Sequence, residues 1–173
     1  MPSDIRRTKR RVVKALKLAA IALAALFAAA QFVRPARTNP AVAREESIES
    51  HVRMTPEVVG LLERSCDDCH SNRTDWPWYS NVAPASWFVI DHVDHGRSHL
   101  NFSEWARLDD SEADEMLDQM CREAKSGAMP LDSYTLLHGD AKLSPTDVKT
   151  LCDWAHVERQ RIAAAQGAAR SAR

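Results

Sequence analysis

A chain of 173 residues, 45 % hydrophobic and 27 % charged, has room for one small domain and its appendages. The formal net charge of −1 hides a split: residues 1–44 carry ten Lys or Arg and one Asp, whereas the remainder carries 13 basic and 23 acidic residues, a net of −10. Such an acidic portion disfavours nucleic acid as a partner. It is compatible with a basic protein partner and, more simply, with ordinary solubility.

The basic N-terminus precedes an apolar run. Arg6, Arg7, Lys9, Arg10, Arg11, Lys14 and Lys17 are followed by Leu18 to Val33, interrupted only by Gln31. Counted from Val12, the span reaches the ~20 residues that a bilayer core requires, with Lys14 and Lys17 snorkelling to the interface. Residues 1–11 then read as a cytoplasmic basic segment and residues 12–33 as a transmembrane anchor, everything later being exported. A cleaved signal peptide is the alternative, with Ala28-Ala29-Ala30 as its small-residue site. The longer apolar run favours the uncleaved anchor. Residues 34–52 are polar, Pro-containing and aperiodic, and read as a linker.

A first helix is expected from Thr55 as N-cap, with Pro56 at its first position. It runs directly into Cys66-Asp67-Asp68-Cys69-His70. This is the C-x-x-C-H pattern of covalent c-type haem attachment. Two thiols about one turn apart can each add to a vinyl group of one porphyrin, and the following imidazole can ligate the iron axially. Cys66 and Cys69 are therefore the candidate thioether anchors and His70 the proximal ligand. The C-x-x-C pair also occurs in zinc sites and dithiol centres. Zinc wants a second ligand pair at short spacing, and Cys121 and Cys152 are distant; a thioredoxin-like site wants a βαβ pattern, and none is visible.

Residues 71–86 hold Trp76, Pro77, Trp78, Tyr79 and Pro84, too irregular for a long helix. Such a segment can wrap aromatic surface around a flat ligand or form a small aromatic core by itself. Residues 87–100 read as a helix with His92, His95 and His99 on one face. Asp91, Asp94, Gly96 and Arg97 among them suggest a solvated face, with an iron- or metal-ligand role as the lesser reading. A helix capped by Asp109 or Asp110 and stopped by Gly127 follows. Its apolar stripe includes Met116 and Met120, read as core.

Met129 then sits on a loop before Pro130, placed to present its thioether to the distal face of a haem; it is the leading sixth ligand. Ser144-Pro145-Thr146-Asp147 opens a last helix. Trp154 can flank the first helix, and Gly60 can let the two helices approach closely. Cys121 and Cys152 are either buried thiols or a disulfide, which an exported location permits. Residues 159–173 read as an Ala-rich tail, of which Ala163 to Arg173 is expected to fray, leaving residues 53–158 as the domain.

The stretches "SCDDCHSNRTDWPWYSNVAPASW" and "GRSHLNFSEW" strongly resemble the haem-binding domain family of bacterial membrane-anchored c-type cytochromes. "SGAMPLDSYTLLHGDAKLS", "LCDWA" and "QFVRPARTNP" resemble it too, so that the likeness covers most of residues 18–156. It implies one covalent haem c on Cys66, Cys69 and His70, with Met129 at the distal position.

The expected fold is all-α and cytochrome c-like, a helical domain around the haem, preceded by one transmembrane helix. The expected function is one-electron transfer at the periplasmic face of the bacterial inner membrane, with a redox partner protein, possibly basic. The chain reads as a carrier rather than a catalyst. A haem enzyme or a gas or redox sensor, with an open or His-ligated distal site, is the alternative.

Overall fold

The computed structural model describes residues 2–171, and among these every regular element is helical. In chain order these are α1 (Pro2–Ala30), α2 (Pro56–Ser65), α3 (Asp67–His70), α4 (Ala85–His99), α5 (Asp110–Ser126), α6 (Asp132–Thr135) and α7 (Pro145–Ser171), with 3-10 segments between α1 and α2, α3 and α4, α4 and α5, and α6 and α7. Two compact units result: the chain up to Arg37 with Pro77–Asp91, and Thr38–Trp76 with the chain from His92 onward.

In the first unit, α1 contains a 24-residue apolar stretch, Arg7–Ala30, long and apolar enough to cross a membrane. At 1.5 Å per residue it is about 36 Å long, against a hydrocarbon core of ~30 Å. Its large apolar side chains, Leu18, Ile21, Leu23 and Leu26 among them, are all exposed. Where α1 ends, the Gln31 carboxamide takes up both backbone groups of Ala83: Nε2 donates to its carbonyl at 3.1 Å, and Oε1 accepts from its N–H at 3.0 Å. Trp87 Nε1 donates to the Val33 carbonyl at 2.8 Å, and Arg37 Nη1 to Ser80 Oγ at 3.2 Å.

The second unit forms around helix ends that the sequence specifies locally. Thr55 Oγ1 accepts from Val58 N, with Pro56 next in line. Asp109 and Glu112 close a full capping box on α5, and Gly127, at φ 74°, ends it in the left-handed conformation that a residue without Cβ adopts freely. Ser144 and Asp147 exchange side chain-to-backbone bonds at the start of α7. Each such cap is worth about 1 kcal/mol.

α5 and α7 pack antiparallel: Arg159 meets Asp114 at 3.0 Å and also pairs with Asp118, and further along Cys121 is bonded to Cys152. α2 runs antiparallel to α7, with Arg64 on Asp147 at 2.7 Å and Trp154 Nε1 donating to Arg53 O at 2.8 Å. The core between them contains Val58, Leu61, Leu62, Phe102, Trp105, Leu117, Leu151 and Trp154.

Three expectations need correction. Ile48 and Val52 are buried in this core, so the stretch read as a linker to residue 52 already belongs to the packed unit near its end. An apolar pair in a polar, aperiodic segment gives no periodic signal. A Cβ built on Gly60 would meet nothing within 4 Å, so the close approach of the helices does not occur there; Trp154 against Arg53 fills that role. The packed unit also runs past residue 158, since Arg161 and Ile162 are held by His51 O and by the core respectively, on an α7 that continues to Ser171. Ala172 and Arg173 lie outside the described residues.

Arg73 bridges Glu49 (2.6 Å) and Asp67 (3.4 Å), tying the segment before α2 to α3. Burial raises the Asp67 carboxyl to about 6, even though the Arg73 charge pulls it down. A carboxyl whose folded pKa is raised stabilises the fold fully below its unfolded pKa, and that contribution is lost as pH climbs through about 6. The domain is thus expected to lose about 2 kcal/mol of stability between pH 4 and 7.5 from this group, and Asp67→Asn to abolish that part of the slope. Urea unfolding at both pH values measures it; an unchanged slope in the variant sinks the assignment. Residues Cys121 and Cys152, 31 apart, close a loop whose constraint on the unfolded chain is worth about 4 kcal/mol. The double variant Cys121→Ala/Cys152→Ala should lose about 2–4 kcal/mol in urea, and in the denatured, unreduced wild type with haem attached through Cys66 and Cys69, two reactive thiols would exclude the bridge.

Candidate functional site

α2 ends at Leu62-Glu63-Arg64-Ser65, and the chain turns at once through Cys66 into the single turn of α3. Cys69 N and His70 N both donate to Cys66 O, at 3.1 and 2.9 Å. That turn brings the two cysteines and the histidine to the wall of one cavity of about 560 Å³. Opposite elements complete it: His92, His95 and His99 from α4, Met116, Met120 and Ala124 from α5, Leu100 and Phe102 between those helices, and Met129, Pro130, Leu131 and Tyr134 from the loop after α5 and from α6.

The histidine is held by its far nitrogen. His70 Nδ1 lies 3.0 Å from the Leu100 carbonyl, which can only accept, so Nδ1 carries the proton and Nε2 keeps its lone pair. Burial pushes the His70 pKa down, more than the Leu100 and Gly96 carbonyls raise it. The ring is therefore neutral, the form that ligates iron. Phe102 lies beside it with ring centres 6.0 Å apart.

Both thiols are driven the other way. Burial, reinforced by the Asp67 charge, raises Cys66 to about 12; burial and the Asp68 charge raise Cys69 to about 11. A dithiol redox centre needs a lowered thiol pKa, and both of these are raised. Among the described residues, no three His, Cys, Asp or Glu side chains are grouped so as to hold a bare metal ion.

α4 reaches the Cys-Cys-His turn through Gly96. A Cβ there would lie 2.5 Å from Cys69 O, so only glycine allows the approach. The next residue, Arg97, spreads its guanidinium over Ser71 O, Thr38 O, Asn39 Oδ1 and Thr74 Oγ1 at 2.7–2.9 Å, fixing the segment that leaves His70. Gly96 and Arg97, read from sequence as marks of a solvated face, are instead the contact surface of that helix. His92, His95 and His99 do line the cavity; His95 and His99 are nevertheless exposed at its rim.

A second tie joins the Cys-Cys-His turn to the methionine loop. Asp68 Oδ2 accepts from Tyr134 Oη at 2.7 Å, and its Oδ1 accepts from Asp75 N at 2.8 Å. Tyr134 also stacks on His138, ring centres 4.3 Å apart. Met129 leaves α5 just after the Gly127 stop, with its N–H on Glu123 O at 3.2 Å. Sequence reading placed Met129 and missed Asp68 and Tyr134, because a 66-residue separation leaves no local pattern.

Trp76 is not in the cavity wall; Leu100, Phe102 and Leu131 supply apolar surface there.

The volume lies within the range of pockets that enclose a cofactor. Its walls combine aliphatic and aromatic surface, an imidazole with a free Nε2, and two protonated thiols on one turn. Those residues fit a haem. No curated protein and no solved structure matches the chain. A family model described as Haem-binding domain matches residues 25–157, more than two thirds of the chain. With that match over a cavity that fits the cofactor, the chain belongs to the Haem-binding domain family.

Proposed function

We propose that the protein is a membrane-anchored periplasmic c-type cytochrome that carries one electron at a time on a single covalent haem. Cys66 and Cys69 hold the haem as thioethers, His70 is its proximal ligand and Met129 its distal ligand. The observation that carries this reading is that His70, with its Nε2 free, and Met129 line the same cavity while arising from elements 59 residues apart. The haem supplies the one-electron couple. The chain's own residues fix the imidazole through Leu100 O, keep water from most of the pocket with Leu100, Phe102 and Leu131, and offer a thioether, which is a weaker donor to ferric iron than imidazole and raises the potential.

The topology supports a cytochrome c-like arrangement: α2 leads into the Cys-Cys-His turn, Met129 follows on a loop, and α7 closes back on α2. Residues 12–33 serve as the anchor in the inner membrane, with the basic residues before them on the cytoplasmic side. The Cys121–Cys152 bond fits an oxidising compartment. The acidic domain suits a basic redox partner, and tethering raises its effective concentration beside membrane-bound donors and acceptors.

A second reading has its own observation. His92, His95 and His99 also line the cavity, and Met129 is 39 % exposed. A His-ligated or open distal site would make the protein a haem enzyme or a sensor of a small gas.

Optical spectra of the haem-loaded protein separate the two. Wild type should show a ferric band at about 695 nm, lost in Met129→Ala. A high-spin wild type, or a band indifferent to the substitution, moves the distal role to the histidine face. The Asp68–Tyr134 bond gives a finer test of the methionine geometry. Tyr134→Phe removes a hydrogen bond to a charged acceptor, worth about 1.5 kcal/mol, so added imidazole should displace Met129 at about tenfold lower concentration. Haem content should stay at the wild-type level, and an unshifted titration would show that the bond does not position the loop.

A further inference from the structure

From Pro77 to Ile90 the chain has fourteen consecutive residues without Asp, Glu, Lys, Arg or His. At the overall charged fraction of 27 %, about four would be expected. The stretch contains Trp78, Tyr79 and Trp87, and all of it lies in the unit that contains α1. Ala83 and Ile90 are buried, but three of its larger apolar side chains stand outward: Trp78 is 78 % exposed, Phe88 54 % and Val82 37 %. Phe32 and Val33, directly after α1, are exposed as well, at 88 % and 60 %. An exposed apolar patch of this kind marks an interaction surface.

We propose that Pro77–Ile90 is seated in the lipid–water interface beside the point where α1 leaves the bilayer. The inference rests on the reading of α1 as a membrane span. Three observations select lipid as the occupant. The patch is continuous with the end of the span: the Gln31 carboxamide holds both backbone groups of Ala83, and Trp87 Nε1 is bonded to Val33 O. Its composition, Trp and Tyr with uncharged neighbours, is that of the aromatic belt at a membrane surface. The cations next to it are Arg34 and Arg37, the latter bonded to Ser80 Oγ, and guanidinium groups suit lipid phosphate. Gln31, the single polar break in the apolar run, acquires a purpose: it couples the span to the patch by two hydrogen bonds that form at the level where water returns.

The test uses the full-length haem-loaded chain in nanodiscs of phosphatidylcholine and phosphatidylglycerol, with a nitroxide on Leu23→Cys, Val82→Cys or Phe88→Cys in turn. Depth is read from collisions with oxygen against a water-soluble nickel chelate. Residue 23 should read deep, and residues 82 and 88 should give ratios roughly threefold above that of a label in water, as the headgroup–acyl boundary gives. Gln31→Ala should return residue 82 toward the aqueous value and leave residue 23 deep. If residue 23 is deep while 82 and 88 read as water in these protein-free lipids, the seat is overturned, the span stands, and the patch belongs to a protein partner. If residue 23 also reads as water, the span itself fails and the seat with it.

Discussion

The missing Cβ at Gly96 is the constraint on which the site depends. Cys69 O occupies the space that any side chain there would need, 2.5 Å from the Cβ position. Because α4 can come that close, Arg97 reaches Ser71 and Thr74, and Leu100, as the helix ends, presents its carbonyl to His70. One absent methyl group thus brings together the thiol turn, the orientation of the imidazole and the exit of the chain from the site. A larger residue would have to push α4 outward, and the hydrogen bond that sets the imidazole tautomer would lengthen with it.

Electrostatics at the site follow from burial rather than from partner charges. Desolvation is the largest influence on Cys66, Cys69, Asp67 and His70 alike, raising the acids and lowering the base. The outcome is a neutral imidazole and two protonated thiols in a cavity wall that also includes Asp68 and Glu123. Neutral groups beside His70 suit a large apolar ring, whereas the domain's net charge acts at longer range.

What the sequence made legible was local chemistry. The caps at Thr55, Asp109 and Ser144, the stop at Gly127 and the Cys-Cys-His turn are each determined within a few residues, and each is found where it was expected. What it hid was contact across the chain. Asp68 and Tyr134 meet over 66 residues, Arg97 and Thr38 over 59, and Ile48 enters the core from a segment with no period. Trp76 misled for the same reason: a large aromatic near a haem motif suggests a pocket wall, and only the packed chain tells whether the aromatic surface faces inward. Phe102, between Asn101 and Ser103, gave no such hint, yet it lies beside His70.

The four cysteines pose a sorting problem that the fold resolves. Four cysteines allow six different single bridges, and only Cys121–Cys152 leaves Cys66 and Cys69 both available to a cofactor. Cys121 and Cys152 sit on the antiparallel helices α5 and α7, where packing brings their Cα atoms to 4.8 Å. Cys66 and Cys69 share a single turn, where burial holds both thiols protonated. Since the thiolate is the species that attacks a disulfide, a half-buried pair with pKa values raised to about 11 and 12 offers little of it toward the bridge between the helices. The same burial that shapes the apolar cavity therefore also keeps its thiols separate from the structural bond, so cofactor site and staple can coexist in one small domain.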